Sequence, residues 1–210
     1  MKKCLFAVAL AAMLLGAAAW GEGYYVTPYV GYGRTVFNEW FGSQVTSDAA
    51  YWLAGLQATT RVHRNVRLGI EGELAARSFR FECKTEGSDE VAYILNIDQR
   101  ILGAVAQVGT FRPGLSPYVR VGVGLYTGSA EKDWSSSYEQ QGEKDETIDL
   151  KANVGFNMGA GMLLMNEQGG GIYLEMVYHS TERSAKDPIE NIESSGANNW
   201  AVRGGFTIAF

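Results

Sequence analysis

The sequence predicts an all-β protein: a single up-and-down antiparallel barrel of eight strands that crosses a membrane with its apolar face outward. Three observations carry that expectation. Apolar residues alternate with Gly, Thr or charged residues over stretches of about ten positions, and the theme recurs eight times. The connections between these stretches alternate in length, short at one end and long at the other. The polar phase holds glycine and charges of both signs, as a narrow enclosed lumen requires.

The first residues belong to none of this. "MKK" is followed by the apolar "CLFAVALAAMLLG" and the small "AAA" at 17–19, the pattern of an export signal removed near Ala19. Residues 1–19 are therefore expected to be cleaved and 20–210 to form one barrel domain, exported through the Sec pathway. Loss of Lys2 and Lys3 makes the net charge of −5 two units more negative, which argues against a nucleic-acid partner. Cys4 leaves with the signal. Cys83 then stands alone, without an intramolecular disulfide partner.

The strands follow in order. "YVTPYVGYGRTV" (25–36) opens the barrel, with Pro28 tolerable near a strand end or bulge. "AYWLAGLQATTRV" (50–62) and "VRLGIEGELAARSF" (66–79) are joined by the short "HRN". In "VAYILNIDQRILGAVAQVG" (91–109) the phase slips at Ile101 and Leu102, and a bulge there is expected. "TFRPGLS" leads to "PYVRVGVGLYT" (117–127). The clearest comb is "TIDLKANVGFNMGAGMLLM" (147–165), read as one strand, and "NEQGGG" turns it into "GIYLEMVYHS" (171–180). "WAVRGGFTIAF" (200–210) closes the sheet against the first strand, since no backbone group can stay unpaired in a bilayer.

Alternation alone also fits a soluble barrel that buries its apolar face. The glycines on the polar phase (Gly31, Gly33, Gly69, Gly122, Gly124, Gly155, Gly159, Gly161 and Gly205) favour the inverted arrangement, because a water-facing surface has no need of missing side chains. So do charges that can pair inside: Arg61, Arg67, Glu71, Glu73, Arg77, Asp98, Arg100, Arg120, Asp149, Lys151, Glu175 and Arg203 are expected to form an interior network. Aromatics near strand ends (Tyr24, Tyr25, Tyr51, Trp52, Tyr118, Tyr126, Tyr178, Trp200, Phe206 and Phe210) are expected at the two membrane interfaces. Arginine placed at Val154, Leu174 or Val202, on the lipid side, is expected to cost about 2–4 kcal/mol near the midplane.

With "YVTPYVGYG", "GLSPYVRVGVGLY" and the terminal "VRGGFTIAF" in view, the chain resembles small outer-membrane β-barrel proteins of the OmpA/OmpX type, with OmpW-like kin. The resemblance covers essentially all of residues 20–210. It implies a place in the outer membrane of a diderm bacterium, with membrane lipid and the barrel-assembly machinery as partners. It also implies that Phe206, Ile208 and Phe210 form the assembly signal.

No metal or cofactor is expected: two distant histidines and one cysteine make no ligand set. His179 stands beside Ser180 in "YHSTE", a faint likeness to PagL-type lipid A deacylases. In a regular strand, however, those two side chains oppose each other, and no catalytic residue is assigned. Loops 128–146 and 181–197 together hold ten acidic and four basic residues and are expected to face outside. The expected role is structural or adhesive, through these loops. The alternatives are a conduit for small hydrophobic molecules, as in OmpW-like proteins, and a lipid A deacylase.

Overall fold

A computed structural model describes residues 23–37, 50–84, 91–135, 146–183 and 195–210. The expected signal segment lies outside them. The strands are β1 (Tyr24–Phe37), β2 (Ala50–His63), β3 (Val66–Lys84), β4 (Val91–Gly109), β5 (Gly114–Trp134), β6 (Glu146–Asp149), β7 (Asn153–Met165), β8 (Gly171–Arg183) and β9 (Ser195–Ala209). Every pairing is antiparallel between neighbours, and β1 pairs with β9 while β4 pairs with β5, so the sheet closes on itself. Eight strands make the wall. The ninth, β6, adds only to the upper edge of β5.

The faces are inverted relative to a soluble sheet. Val30, Val119, Val121, Val123, Ile172, Leu174 and Val202 are each about half or more exposed, while Glu71, Arg120, Glu175 and Arg203 are almost fully buried. Apolar side chains left on the outside of a closed barrel are stable only against lipid. On the outer wall Tyr32 meets Trp52 and Tyr178 meets Trp200, at 5.3 and 4.8 Å between ring centroids. Tyr32 pairs with Val202, and Tyr178 with Trp200, so these rings form one row across β2, β1, β9 and β8 at the long-loop end. That row marks an interface, where a ring's apolar body and polar tip are both satisfied.

The other aromatics expected at the interfaces divide differently. Tyr25, Tyr51, Tyr118 and Tyr126 point inward and are buried, whereas Phe206 and Phe210 are exposed on the lipid side. Four inward tyrosines lie directly across a ladder rung from a glycine: Tyr29 from Gly55, Tyr51 from Gly33, Tyr118 from Gly161 and Tyr173 from Gly205. A Cβ built on Gly161 would stand 2.7 Å from Tyr118 Oη. The lumen is thus filled by large rings lying over bare backbone.

Two boundaries differ from expectation. β4 shows no bulge at Ile101–Leu102, because these residues pair in regular register with Tyr126 and Leu125. The irregularity sits in β3, between Ala75 and Phe79, where the chain gains extra residues opposite Gln99–Ile97. The single strand expected over 147–165 is two strands, broken at 150–152. β3, β4 and β5 also run well beyond the aromatic row, so parts of the segments expected as loops are paired strand.

Candidate functional site

The lumen is organised from the short-turn end upward. Its floor is Arg67, whose guanidinium carbon lies 3.6 Å from the Tyr25 ring centroid and 4.2 Å from that of Phe111. The turn 110–113 drives Phe111 inward, with the only positive φ at a non-glycine among the described residues. Arg61 stays exposed at the rim, where its Nη2 donates to the Phe111 carbonyl at 3.0 Å. Above the floor Gln107 Nε2 donates to Gln57 Oε1 at 3.1 Å, and the Thr27 and Thr207 hydroxyls meet at 3.0 Å. The space left among these groups is about 10 Å³, which holds no more than a single water.

The centre is ionic. Arg120 Nη2 donates to Glu71 Oε1 at 2.6 Å and to Asn157 Oδ1 at 2.8 Å, while Nη1 donates to Glu175 Oε1 at 3.1 Å. Arg203 Nη1 reaches the second oxygen of Glu71 at 3.2 Å, and its Nη2 lies 2.6 Å from Glu73 Oε2. Glu71 therefore bridges the two arginines with its two oxygens. Asn157 Nδ2 and Tyr29 Oη add donors to Glu71 and Glu73. Burying five charges is costly unless each is paired and hydrogen-bonded, and here three carboxylates surround two guanidiniums.

His179 completes the cluster. Arg203 Nη2 stands 2.7 Å from its Nε2, which must accept, so Nδ1 carries the proton and faces Tyr126 Oη at 3.0 Å. His179 is 1% exposed and points into the lumen, as does Thr181, while Ser180 lies on the opposite phase. A hydrolase acting on lipid from the membrane side needs its base on the outer wall. The imidazole is on the other side of that wall.

Of the twelve charges expected inside, Glu71, Glu73, Arg120, Glu175 and Arg203 come together, and Arg67 lies below them in the floor. Five others are placed elsewhere. Arg61 is at the rim. Arg100 is exposed on the outer wall and Asp98 shares its phase, because the inward residues of β4 are Ile97, Gln99, Ile101, Val105 and Gln107. Asp149 and Lys151 are exposed at and beyond the break between β6 and β7, past the closed part of the barrel. Arg77 lies in β3 with its side chain outside the described residues, as does that of Cys83.

Several network members had no charge to draw attention to them. Asn157 could have been found as a polar residue on the inward phase of β7. Tyr29, Tyr126 and the Gln57–Gln107 pair become visible only once strand register is known. At the other terminus of the wall Phe210 N donates to the Tyr24 carbonyl at 2.9 Å, closing the seam between β9 and β1. Phe206, Ile208 and Phe210 all face outward.

No protein-family model matches the chain, and no curated protein is similar to it in sequence. Solved structures are similar in fold. The crystal structure of Neisserial surface protein A superposes with a TM-score of 0.59 at 12% identity, covering 90% of this chain and 97% of that one. The crystal structure of the outer membrane protein OprG from Pseudomonas aeruginosa gives 0.57 at 19% identity, covering 90% and 96%. At such identities the likeness speaks for the fold, and that fold supports an outer-membrane location. With its strand order, its seam between β9 and β1 and its apolar exterior, the chain is a small eight-stranded outer-membrane-type β-barrel.

Proposed function

We propose that this barrel is a closed anchor in the outer membrane that holds its long loops out for surface recognition, in an adhesion-type role. The observation that carries this reading is the filled lumen: the Arg67 floor and the Glu71–Arg120–Arg203–Glu175 cluster occupy the space through which a solute would have to pass. Paired extensions of β3, β4 and β5, with β6 on their edge, lead away from the membrane toward the loops. The acidic excess of 128–146 and 181–197 suits a partner with basic surface. Export by the Sec route and delivery by the barrel-assembly machinery, with Phe206, Ile208 and Phe210 as its signal, belong to the same proposal.

The test is adhesion of cells displaying the protein to immobilised matrix protein, before and after deletion of residues 136–145. Adhesion should fall several-fold while the variant still migrates as a folded barrel on a gel without heating. Unchanged adhesion, together with protein-dependent uptake of a hydrophobic solute, would replace the anchor by a conduit.

A further inference from the structure

Charge is sorted along the barrel axis. The loops at the far end carry an acidic excess, whereas the short-turn end holds four arginines, Arg61, Arg64, Arg67 and Arg112. Against them the described residues of that end set one side-chain carboxylate, Glu167, in the turn after β7. None of the four arginines has an ion-pair partner among the described residues.

Arg67 is the unusual member. It is 2% exposed, and its Nε is buried without a hydrogen-bond partner. Arg120 and Arg203, the other buried guanidiniums, are each held by carboxylates. Arg67 has the rings of Tyr25 and Phe111 and a 3.8 Å contact from Nη2 to Met165 Sδ. A buried charge left uncompensated is costly, and its field emerges where the low-dielectric wall ends. There Arg61, the rung partner of Arg67, is exposed with its guanidinium carbon 5.7 Å from the centroid of the same Tyr25 ring.

The exposed arginines are preset. Gly109 N donates to the Asn65 carbonyl at 2.9 Å, which joins the two turns that carry Arg64 and Arg112. Ser116 Oγ accepts from Arg112 N at 3.1 Å and donates to the Arg112 carbonyl at 2.7 Å, and Arg61 binds the Phe111 carbonyl of the same turn. The positive charge is centred on the mouth and not on the wall. Arg61 and Arg67 occupy inward positions, while the outward positions beside these turns are Val66, Val108 and Leu115. Lipid headgroups ring the wall, so a partner for this face approaches along the axis from water. In an outer-membrane barrel the short turns face the periplasm. Arginine is the side chain whose planar fork matches a carboxylate at two points.

We infer that the short-turn end docks on a carboxylate-bearing polymer of that compartment, the peptidoglycan mesh. Its peptide carboxylates lie on Arg61, Arg64 and Arg112, over the uncompensated charge of Arg67. This contact needs the outer-membrane placement and not the adhesive role, so either can fail alone.

Cosedimentation of the folded barrel, held in zwitterionic micelles, with purified insoluble peptidoglycan tests this. The parent should sediment with the polymer at low salt and be released as salt screens the charges. Polymer whose carboxylates have been converted to amides should not hold it. Arg61→Gln with Arg64→Gln and Arg112→Gln should weaken binding about tenfold, as expected of three exposed charge pairs. Arg64→Gln with Arg112→Gln alone, which leaves the Arg61 bond to Phe111 intact, should weaken it about fivefold. Arg34→Gln with Arg100→Gln removes two exposed arginines from the outer wall and should change nothing. Undiminished binding by the Arg64 and Arg112 double variant, an equal loss in the outer-wall variant, or capture by the amidated polymer would overturn the contact. Release by phosphatidylglycerol mixed into the micelles at constant ionic strength would assign the face to lipid instead. Mobility on an unheated gel establishes that each variant is folded.

Discussion

Arginine at Val121 measures the inverted arrangement most directly. Val121 is 60% exposed and points outward between Val119 and Val123 in the middle of β5. With a rise of about 3.4 Å per residue and a tilt near 40°, each residue climbs about 2.6 Å, so the ten steps from Leu115 to Leu125 span about 26 Å. That is the height of the apolar band of such barrels. Val121 then lies about 10 Å below the upper boundary and about 16 Å above the lower one, close to the midplane. Val121→Arg should cost about 2–4 kcal/mol, a 30- to 700-fold loss in the folding equilibrium. Val154 is different. It is the first outward residue of β7 and pairs with Leu125, at the upper boundary, so Val154→Arg should cost only about 0–1 kcal/mol, less than its position in the sequence alone suggested. Reversible denaturant titration in phosphocholine vesicles reads both values. Equal costs at the two sites, or a Val121→Arg barrel as stable as the parent, would refute the assignment of that face to lipid.

Removing Arg120 as Arg120→Met leaves Glu71 and Glu175 buried without their main partner and should destabilise the barrel by about 3–5 kcal/mol in the same titration, whereas Arg100→Met on the outer wall should not. Gly161→Ala places a methyl group against Tyr118 Oη and the Leu174 carbonyl, and should cost about 1–3 kcal/mol, seen as a lower denaturation midpoint. Phe210→Ala should barely change the stability of refolded protein, because Phe210 is 74% exposed, yet should reduce the amount inserted when cells make it. A loss of stability in refolded Phe210→Ala would assign that residue to packing rather than to an assembly signal. His179→Ala should lower stability by about 1–3 kcal/mol by leaving an Arg203 N–H unpaired, with no change in lipid A composition by mass spectrometry.

Alternation made the eight-stranded wall legible because lipid on one side and a confined lumen on the other hold the side-chain phase fixed. The phase could be misread wherever that constraint lapses. In β4 the run from Val91 to Leu102 mixes apolar and polar residues on both phases; it reaches past the aromatic row, where the outward side meets water, so Asp98 and Arg100 do not face inward as the alternation suggests. Asp149 and Lys151 fall on the inward phase only if β7 is continued upward unbroken; the break at 150–152 resets that phase, Asp149 pairs with Ser129 on the outward side of β5, and there is no closed lumen at that height to enter. The central cluster was readable residue by residue, since Glu71, Glu73, Arg120, Glu175 and Arg203 each sit within a strand that has no other use for a charge. Which carboxylate meets which guanidinium depends on register across several strands, and composition along one strand does not contain it. His179 drew attention as a possible base beside Ser180, while its actual neighbours, Arg203 and Tyr126, come from β9 and β5.

The tyrosine rings laid over glycines also act as teeth in a rack. A slip of two residues keeps every side chain on its proper face, so hydrophobicity alone would tolerate it. Such a slip would bring Tyr29 against Leu53 or Gln57 instead of Gly55, and Tyr173 against Arg203 or Thr207 instead of Gly205. Misaligned hairpins meet a steric stop before the cylinder is sealed, and the order of small and large along neighbouring strands serves as a proofreading device for insertion.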